Sequence, residues 1–148
     1  MISENSIIMQ APAEKIFEIA ADLSRWPEIL PHYRWVRYIE KSPAKNIVQM
    51  AAKRSWIPIK WTSELEIDQT KMEIRFHHLK AFTKNMRVVW TFLPVAAGTN
   101  VKIRHELQIS IPLLGYILTD IIIGKFFIHY VANQTLIHMK KYAEKAYE

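Results

Sequence analysis

Two histidines are the residues of this chain best placed to do chemistry. Between Met72 and Leu79 the alternation sets Met72, Ile74, Phe76 and His78 on one face, and between Val101 and Ile109 it sets Val101, Ile103, His105, Leu107 and Ile109 together. Each histidine therefore sits on an otherwise apolar strand face. An imidazole titrates near neutrality, so in such a place it can hydrogen-bond a ligand or move a proton on an enolisable substrate. The competing reading is a core or rim histidine satisfied by a neighbour. With one strand between theirs, the two backbones stand roughly 10 Å apart at a spacing of about 4.8 Å per strand. That is too far for the rings to bond each other and close enough for them to flank one molecule.

Aromatic residues share those faces. Trp61 belongs to the alternating run Ile59, Trp61, Ser63, Leu65, Ile67, and Trp90 and Phe92 align with Met86 and Val88. Trp61, Phe76, Trp90 and Phe92 are core fillers on one reading and pocket lining on the other, and the two agree if a pocket is the unfilled part of the core. From the helical part of the chain, Tyr116, Phe127, Ile128 and Val131 are expected to complete the lining with His78 and His105. Trp26, Ile29 and Leu30, with Trp56, Ile57 and Pro58, are candidates for the opposite lip of the opening. Phe126, Tyr130 and Ile137 fall on the far face of the last helix, as a gate or membrane- or partner-facing patch, or else as residues covered by segment 113–123.

Other chemistries lack their residues. The 148-residue chain has no cysteine, which excludes thiolate metal sites and cysteine nucleophiles, and only three glycines, which excludes a glycine-rich phosphate loop. His77 and His78 are adjacent and point to opposite faces of a strand, so they cannot chelate one ion together. Glu64, Glu66 and Asp68 share a face with Lys60 and read as solvent-side charges. No nucleophile-elbow serine is present. Neither a catalytic residue, a metal nor a cofactor is assigned.

The elements that must position these residues follow from periodicity. A strand over Ile2–Gln10 stops at Ala11-Pro12. Helical spacing then links Ile16, Phe17, Ile19, Ala20 and Leu23, with Pro12 in the first turn and an expected end at Trp26-Pro27. Six strands follow: Tyr33–Lys41, Asn46–Ser55, Ile59–Asp68, Met72–Leu79, Met86–Leu93 and Val101–Ile109, the last after a turn at Ala97–Asn100. The chain ends in helix, over about 113–123 and then 125–147, with Ile128, Val131, Ala132, Thr135, Leu136, Met139, Tyr142, Ala143 and Ala146 on one stripe. This is an α+β order, a curved antiparallel sheet of about seven strands wrapped around a long C-terminal helix. A helix is only about 10–12 Å across, so a strongly curled sheet leaves room beside it for side chains or a ligand.

The stretch from Ala11-Pro12-Ala13-Glu14-Lys15-Ile16-Phe17 to Ser24-Arg25-Trp26-Pro27-Glu28-Ile29-Leu30-Pro31-His32 resembles the opening of the START-like, or helix-grip, superfamily. Trp90-Thr91-Phe92-Leu93-Pro94, the Gly98-Thr99 turn and Leu136 with Lys140-Lys141-Tyr142-Ala143-Glu144 are similar to its polyketide cyclase/dehydrase and coenzyme-Q-binding branch. The resemblance implies one ligand-binding domain over residues 1–148. Members bind lipids, quinones, hormones or polyketides, and some are enzymes; no family catalytic motif maps onto residues here. The leading expectation is a carrier or chaperone of a hydrophobic molecule (lipid, quinone, isoprenoid or polyketide-like) held between sheet and helix. The alternative is a cyclase, aromatase or dehydratase acting in the same pocket, and a third reading is an interaction module with a filled core.

Charge bears on partners. The net charge is +6, and residues 31–110 carry 14 Lys and Arg against 6 Asp and Glu. The basic strand region fits a solvated outer face or peripheral contact with an anionic membrane. Nucleic acid is not expected, because the bases are dispersed and carry no recognition motif. A homodimer is a candidate partner state. No leader is visible at Met1–Ser6, so the expected location is cytoplasmic, with membrane-peripheral contact as the variant. Ser110, Pro112, Thr119, Asp120, Lys125 and His129 interrupt the apolar run 109–132, which reads as buried helix rather than a membrane span.

Overall fold

The computed structural model describes residues 2–80, 83–107 and 127–148. Strand β1 (Ile2–Met9) is followed by α1 (Ala13–Ala21), a single 3-10 turn (Leu23–Arg25) and the short α2 (Trp26–Ile29). Then come β2 (Tyr33–Lys41), β3 (Asn46–Arg54), β4 (Ile57–Asp68), β5 (Glu73–His78), β6 (Arg87–Val95), β7 (Gly98–Glu106) and a final helix, α3 (His129–Ala146). The seven strands form one antiparallel sheet in the order β1-β7-β6-β5-β4-β3-β2. Strands β2 to β7 are a meander, and β1 closes on β7, so the edges are β1 and β2. The expected helix over 113–123, and Tyr116 and Phe126 with it, lie outside the described residues.

The α+β reading holds, with local corrections. The first helix ends at Ala21, not at Trp26-Pro27, because Asp22 leaves helical geometry (ψ 75°) and takes a 2.6 Å hydrogen bond from the Ser24 hydroxyl. Pro27 sits in the first turn of α2, where its missing N–H costs nothing, so it begins a helix rather than ending one. Met72 drops out of β5 because its φ of 52° is left-handed. The turn before β7 moves back to Ala96-Ala97, with Val95 opposite Gly98. Gly98 needs to be glycine: at φ 140° an added Cβ would overlap the Met9 carbonyl oxygen.

Inner-face residues run in register across the strands: Met50 opposite Trp61, Ser63 opposite His78, Phe76 opposite Val88, and Val88 opposite His105. Trp26, at 1% exposure, anchors this face. Its ring lies 5.5 Å from Trp90, 5.2 Å edge-on from Tyr33 and 6.2 Å from Phe76, and its indole N–H donates to the Ala20 carbonyl at 3.1 Å. Leu30 is fully buried and Ile29 packs on the same core. Trp26, Ile29 and Leu30 are therefore core, not a lip, because the break at Asp22 turns α2 inward.

Helix α3 buries Ala132, Thr135, Leu136, Met139 and Ala143, as the stripe predicts, while Ala146 in the last turn is exposed. It packs chiefly on β1. Asn5 Nδ2 meets His129 Nδ1 at 3.2 Å, Lys140 donates to the Ile8 carbonyl at 3.0 Å, and the Gln10 N–H donates to Glu144 at 2.7 Å. Across the sheet, His32, just ahead of β2, meets Thr135 Oγ1 at 2.9 Å through Nε2. The Thr135 hydroxyl already donates to the Val131 carbonyl at 2.6 Å, so His32 Nε2 must be the donor and its buried Nδ1 is left without a partner. One helix is thus tied to both edges of the sheet.

Burial, with the nearby His138 ring adding to it, lowers the His32 pKa to about 4 from 6.5. The unfolded chain therefore binds the extra proton as pH falls from 6.5 to 4, and stability drops through that window by about 3 kcal/mol from this group alone. The urea midpoint should fall across that range, and His32→Phe should make the fall shallower. Parallel pH profiles for the two proteins would remove His32 as the titrating latch.

Candidate functional site

Because α3 leans on β1 and reaches the β2 side through Thr135, it stands off from the middle of the sheet. Beneath it lies a cavity of about 300 Å³, at the lower end of the range for small-molecule sites. Trp61, Phe76, His78, Trp90 and His105 come from the sheet, and Phe127, Ile128 and Val131 from the start of α3 and the turn before it. These are eight of the ten residues expected on sequence grounds. Phe92 is a correction: its ring packs edge-on against Phe17 of α1 at 5.4 Å, in the solid part of the core. Tyr116 lies outside the described residues.

Tyr33, Met50, Thr83 and Thr135, not expected from the sequence, also line the space, as does Trp26, which the sequence places at the lip. The signals were present for some of these. Met50 and Tyr33 alternate into the inner face, and Thr135 lies on the α3 stripe. Trp26 was hidden by the misplaced helix end.

The walls are apolar except at a few points. His78 Nδ1 lies 2.8 Å from Thr83 Oγ1, and its ring stacks on Trp61 with centroids 6.2 Å apart and planes within 3°. His105, diagonal to it across β6, has a buried Nδ1 with no hydrogen-bond partner. Ser63, opposite His78 in register, also has a buried unpartnered hydroxyl, but it does not line the cavity. Burial lowers the His78 pKa to about 4 and the His105 pKa to about 3, with the neighbouring histidine adding to each. Both rings are thus uncharged at neutral pH. Lys60, at the mouth, is the sole charged side chain among the described lining residues.

Such a space can take an apolar molecule bearing one or two neutral oxygens. A carbonyl or hydroxyl could hydrogen-bond the few polar side chains that line it, His78, Thr83, His105 and Thr135 among them. A carboxylate at the inner end would find no fixed cation. Among the described residues no group of three or more His, Asp or Glu comes together to hold a metal, and no helix is long and apolar enough to cross a membrane.

Residues 9–123 match the family described as polyketide cyclase / dehydrase and lipid transport. The chain belongs to that family. A curated relative, the granaticin polyketide synthase bifunctional cyclase/dehydratase of Streptomyces violaceoruber, is 24% identical over 111 residues, covering 73% of this chain. The match spans 34% of that relative, about a third of its length. Among solved structures, the Zhui aromatase/cyclase of Streptomyces sp. R1128 superposes with a TM-score of 0.78 at 18% identity, covering 100% of this chain and 96% of that one. A START superfamily protein of Mycobacterium smegmatis gives 0.67 at 12% identity, covering 98% and 95%. At these identities the structural likeness establishes the helix-grip fold.

Val131→Trp should fill part of the cavity, lowering affinity for a neutral fluorescent aromatic such as 1-aminoanthracene at least about tenfold, since the added ring must displace the probe or itself be exposed. The melting temperature should move little. Wild-type affinity should hold from pH 8 to about 5 and fall only as His78 protonates near 4. A midpoint near 6.5, or unchanged affinity in Val131→Trp, would place the probe elsewhere.

Proposed function

We propose that this chain is a cyclase or dehydratase for a polyketide-like chain held in the cavity beneath α3. The observation that carries the reading is the pair of uncharged histidines lining an apolar space, one with a buried ring nitrogen that has no hydrogen-bond partner, in a chain of the polyketide cyclase/dehydrase family. A methylene between two carbonyls is acidic for a C–H. The His105 imidazole takes that proton, and the enolate carbon attacks a second carbonyl of the same chain, forming the ring C–C bond. The proton returns to the new alkoxide, and loss of water from the aldol gives the C=C bond. His78, held by Thr83, donates to or accepts from an oxygen of the substrate.

Magnitudes set the demand on the site. Burial weakens His105 as a base, but the enolate formed beside it attracts the imidazolium strongly in a medium of low dielectric. Positioning contributes more: holding the two reacting carbons within reach of each other removes much of the entropic barrier to ring closure and selects one ring among several. Trp61, Trp90 and Phe76 are suited to this, offering flat apolar walls to a forming aromatic ring.

A second reading, carriage of an apolar ligand without chemistry, is favoured by one specific observation. Neither histidine has a carboxylate partner among the described residues to raise its basicity. One experiment separates the two. An oligo-β-ketothioester should cyclise with the protein to a product distribution distinct from the spontaneous one, and His105→Ala should lose about 100-fold or more of the rate while still binding 1-aminoanthracene. A product distribution identical with and without protein would leave carriage as the surviving reading.

A further inference from the structure

The end of the sheet where the cavity opens also carries an aromatic side chain standing in solvent. The turn between β3 and β4 passes through Ser55 at φ 55° and presents Trp56 at 86% exposure and Ile57 at 40%, with Pro58 exposed beside them. Residues this apolar are seldom left in water at a hairpin tip without a partner. The same turn is flanked by bases: Lys53, Arg54 and Lys60 lie within residues 53–60, which contain no acid. The connection from β5 to β6 brings Lys80, Lys84 and Arg87 within residues 79–87, again with no acid.

The register places these two segments at one end of the molecule. Ser63 pairs with His78, and the Leu79 N–H donates to the Thr62 carbonyl, so the chain leaving β5 runs alongside the start of β4. Lys53, Lys60, Lys80, Lys84 and Arg87 are exposed there. Arg54 lies over the Tyr130 ring at 5.1 Å, fixing the hairpin against the start of α3. Glu106 lies cross-strand from Arg87 and pairs with Arg104 at 3.8 Å. Ile59, Lys60 and Thr83 belong to these same segments and also line the cavity. The mouth, the apolar tip and the bases therefore face the same way.

We infer that this end docks on an anionic lipid surface, with Trp56 and Ile57 entering the headgroup region and the lysines on the phosphates. An indole is the side chain that prefers the membrane–water boundary, and each nearby Lys or Arg strengthens attachment to an anionic leaflet roughly fivefold. A tip of three residues is too small for a stable protein interface, which needs about 800 Å² on each partner. Docking in this orientation lets an apolar molecule pass between bilayer and cavity without crossing water. The inference does not depend on whether the cavity performs a reaction, and its test uses no cavity ligand.

Flotation of the purified full chain with vesicles tests it. The protein should rise with phosphatidylcholine vesicles containing phosphatidylglycerol, stay behind with pure phosphatidylcholine, and be released by high salt, because screening shortens the reach of the bases. Trp56→Ser, and separately Lys53→Glu with Lys84→Glu, should each weaken partitioning about tenfold or more, while the melting temperature and 1-aminoanthracene binding stay unchanged. Vesicle binding should also shift tryptophan emission to the blue in the wild type and much less in Trp56→Ser. No partitioning to the anionic vesicles, or partitioning indifferent to both variants, would overturn the inference. A change of oligomeric state in Trp56→Ser, read by light scattering, would overturn it too, by showing that the tip seats a second copy.

Discussion

One helix spans the two edges of a single curled sheet, and the rest of the molecule depends on that constraint. Along β1 the attachment is continuous: Asn5 with His129, the Ile8 carbonyl with Lys140, and the Gln10 N–H with Glu144. On the β2 side it is a point, the buried bond from His32 to Thr135. A rod pinned at both rims of a concave surface cannot also settle on its floor. Trp26 and Phe17 fill the end under α1 and α2, and the remainder is left open. Dense packing is the norm in protein interiors, so a space of this size persists because the rim contacts fix the helix before the floor can be reached.

That geometry governs the chemistry. Side chains at the floor are buried, which keeps His78 and His105 uncharged and leaves the unpartnered His105 Nδ1 carrying a cost of burial. The apolar walls select flat, hydrophobic bodies; the few polar atoms select where oxygens lie. On the reading proposed above, a neutral, oxygen-bearing polyketide-like molecule would meet both demands. The family to which the chain belongs is described by both cyclase/dehydrase chemistry and lipid transport, so binding and turnover are the two uses to be told apart for this space.

Much of this was legible in the order of residues, for identifiable reasons. Period-two alternation is a strong signal, and it placed Trp61, Phe76, His78, Trp90 and His105 on one inner face because a strand turns each alternate side chain the same way. It could not say that Phe92, on the same face of β6, meets Phe17 rather than the cavity, since that depends on where α1 crosses the sheet. The α1 end was misread because proline commonly stops a helix, whereas here Asp22 stops it and Pro27 starts the next one. Trp26 thereby moved from an expected rim to the centre of the core. The tautomer of His32 was beyond sequence reasoning altogether, because it is set by a threonine more than a hundred residues away.

The most direct test is a co-crystal structure with a flat, hydroxylated polycyclic aromatic. The rings should appear in density between the Trp61 and Trp90 side of the sheet and α3, with one oxygen within hydrogen-bond distance of His105. Crystals saturated with ligand in which α3 rests directly on β5 and β6, leaving no space and no ring density there, would contradict it.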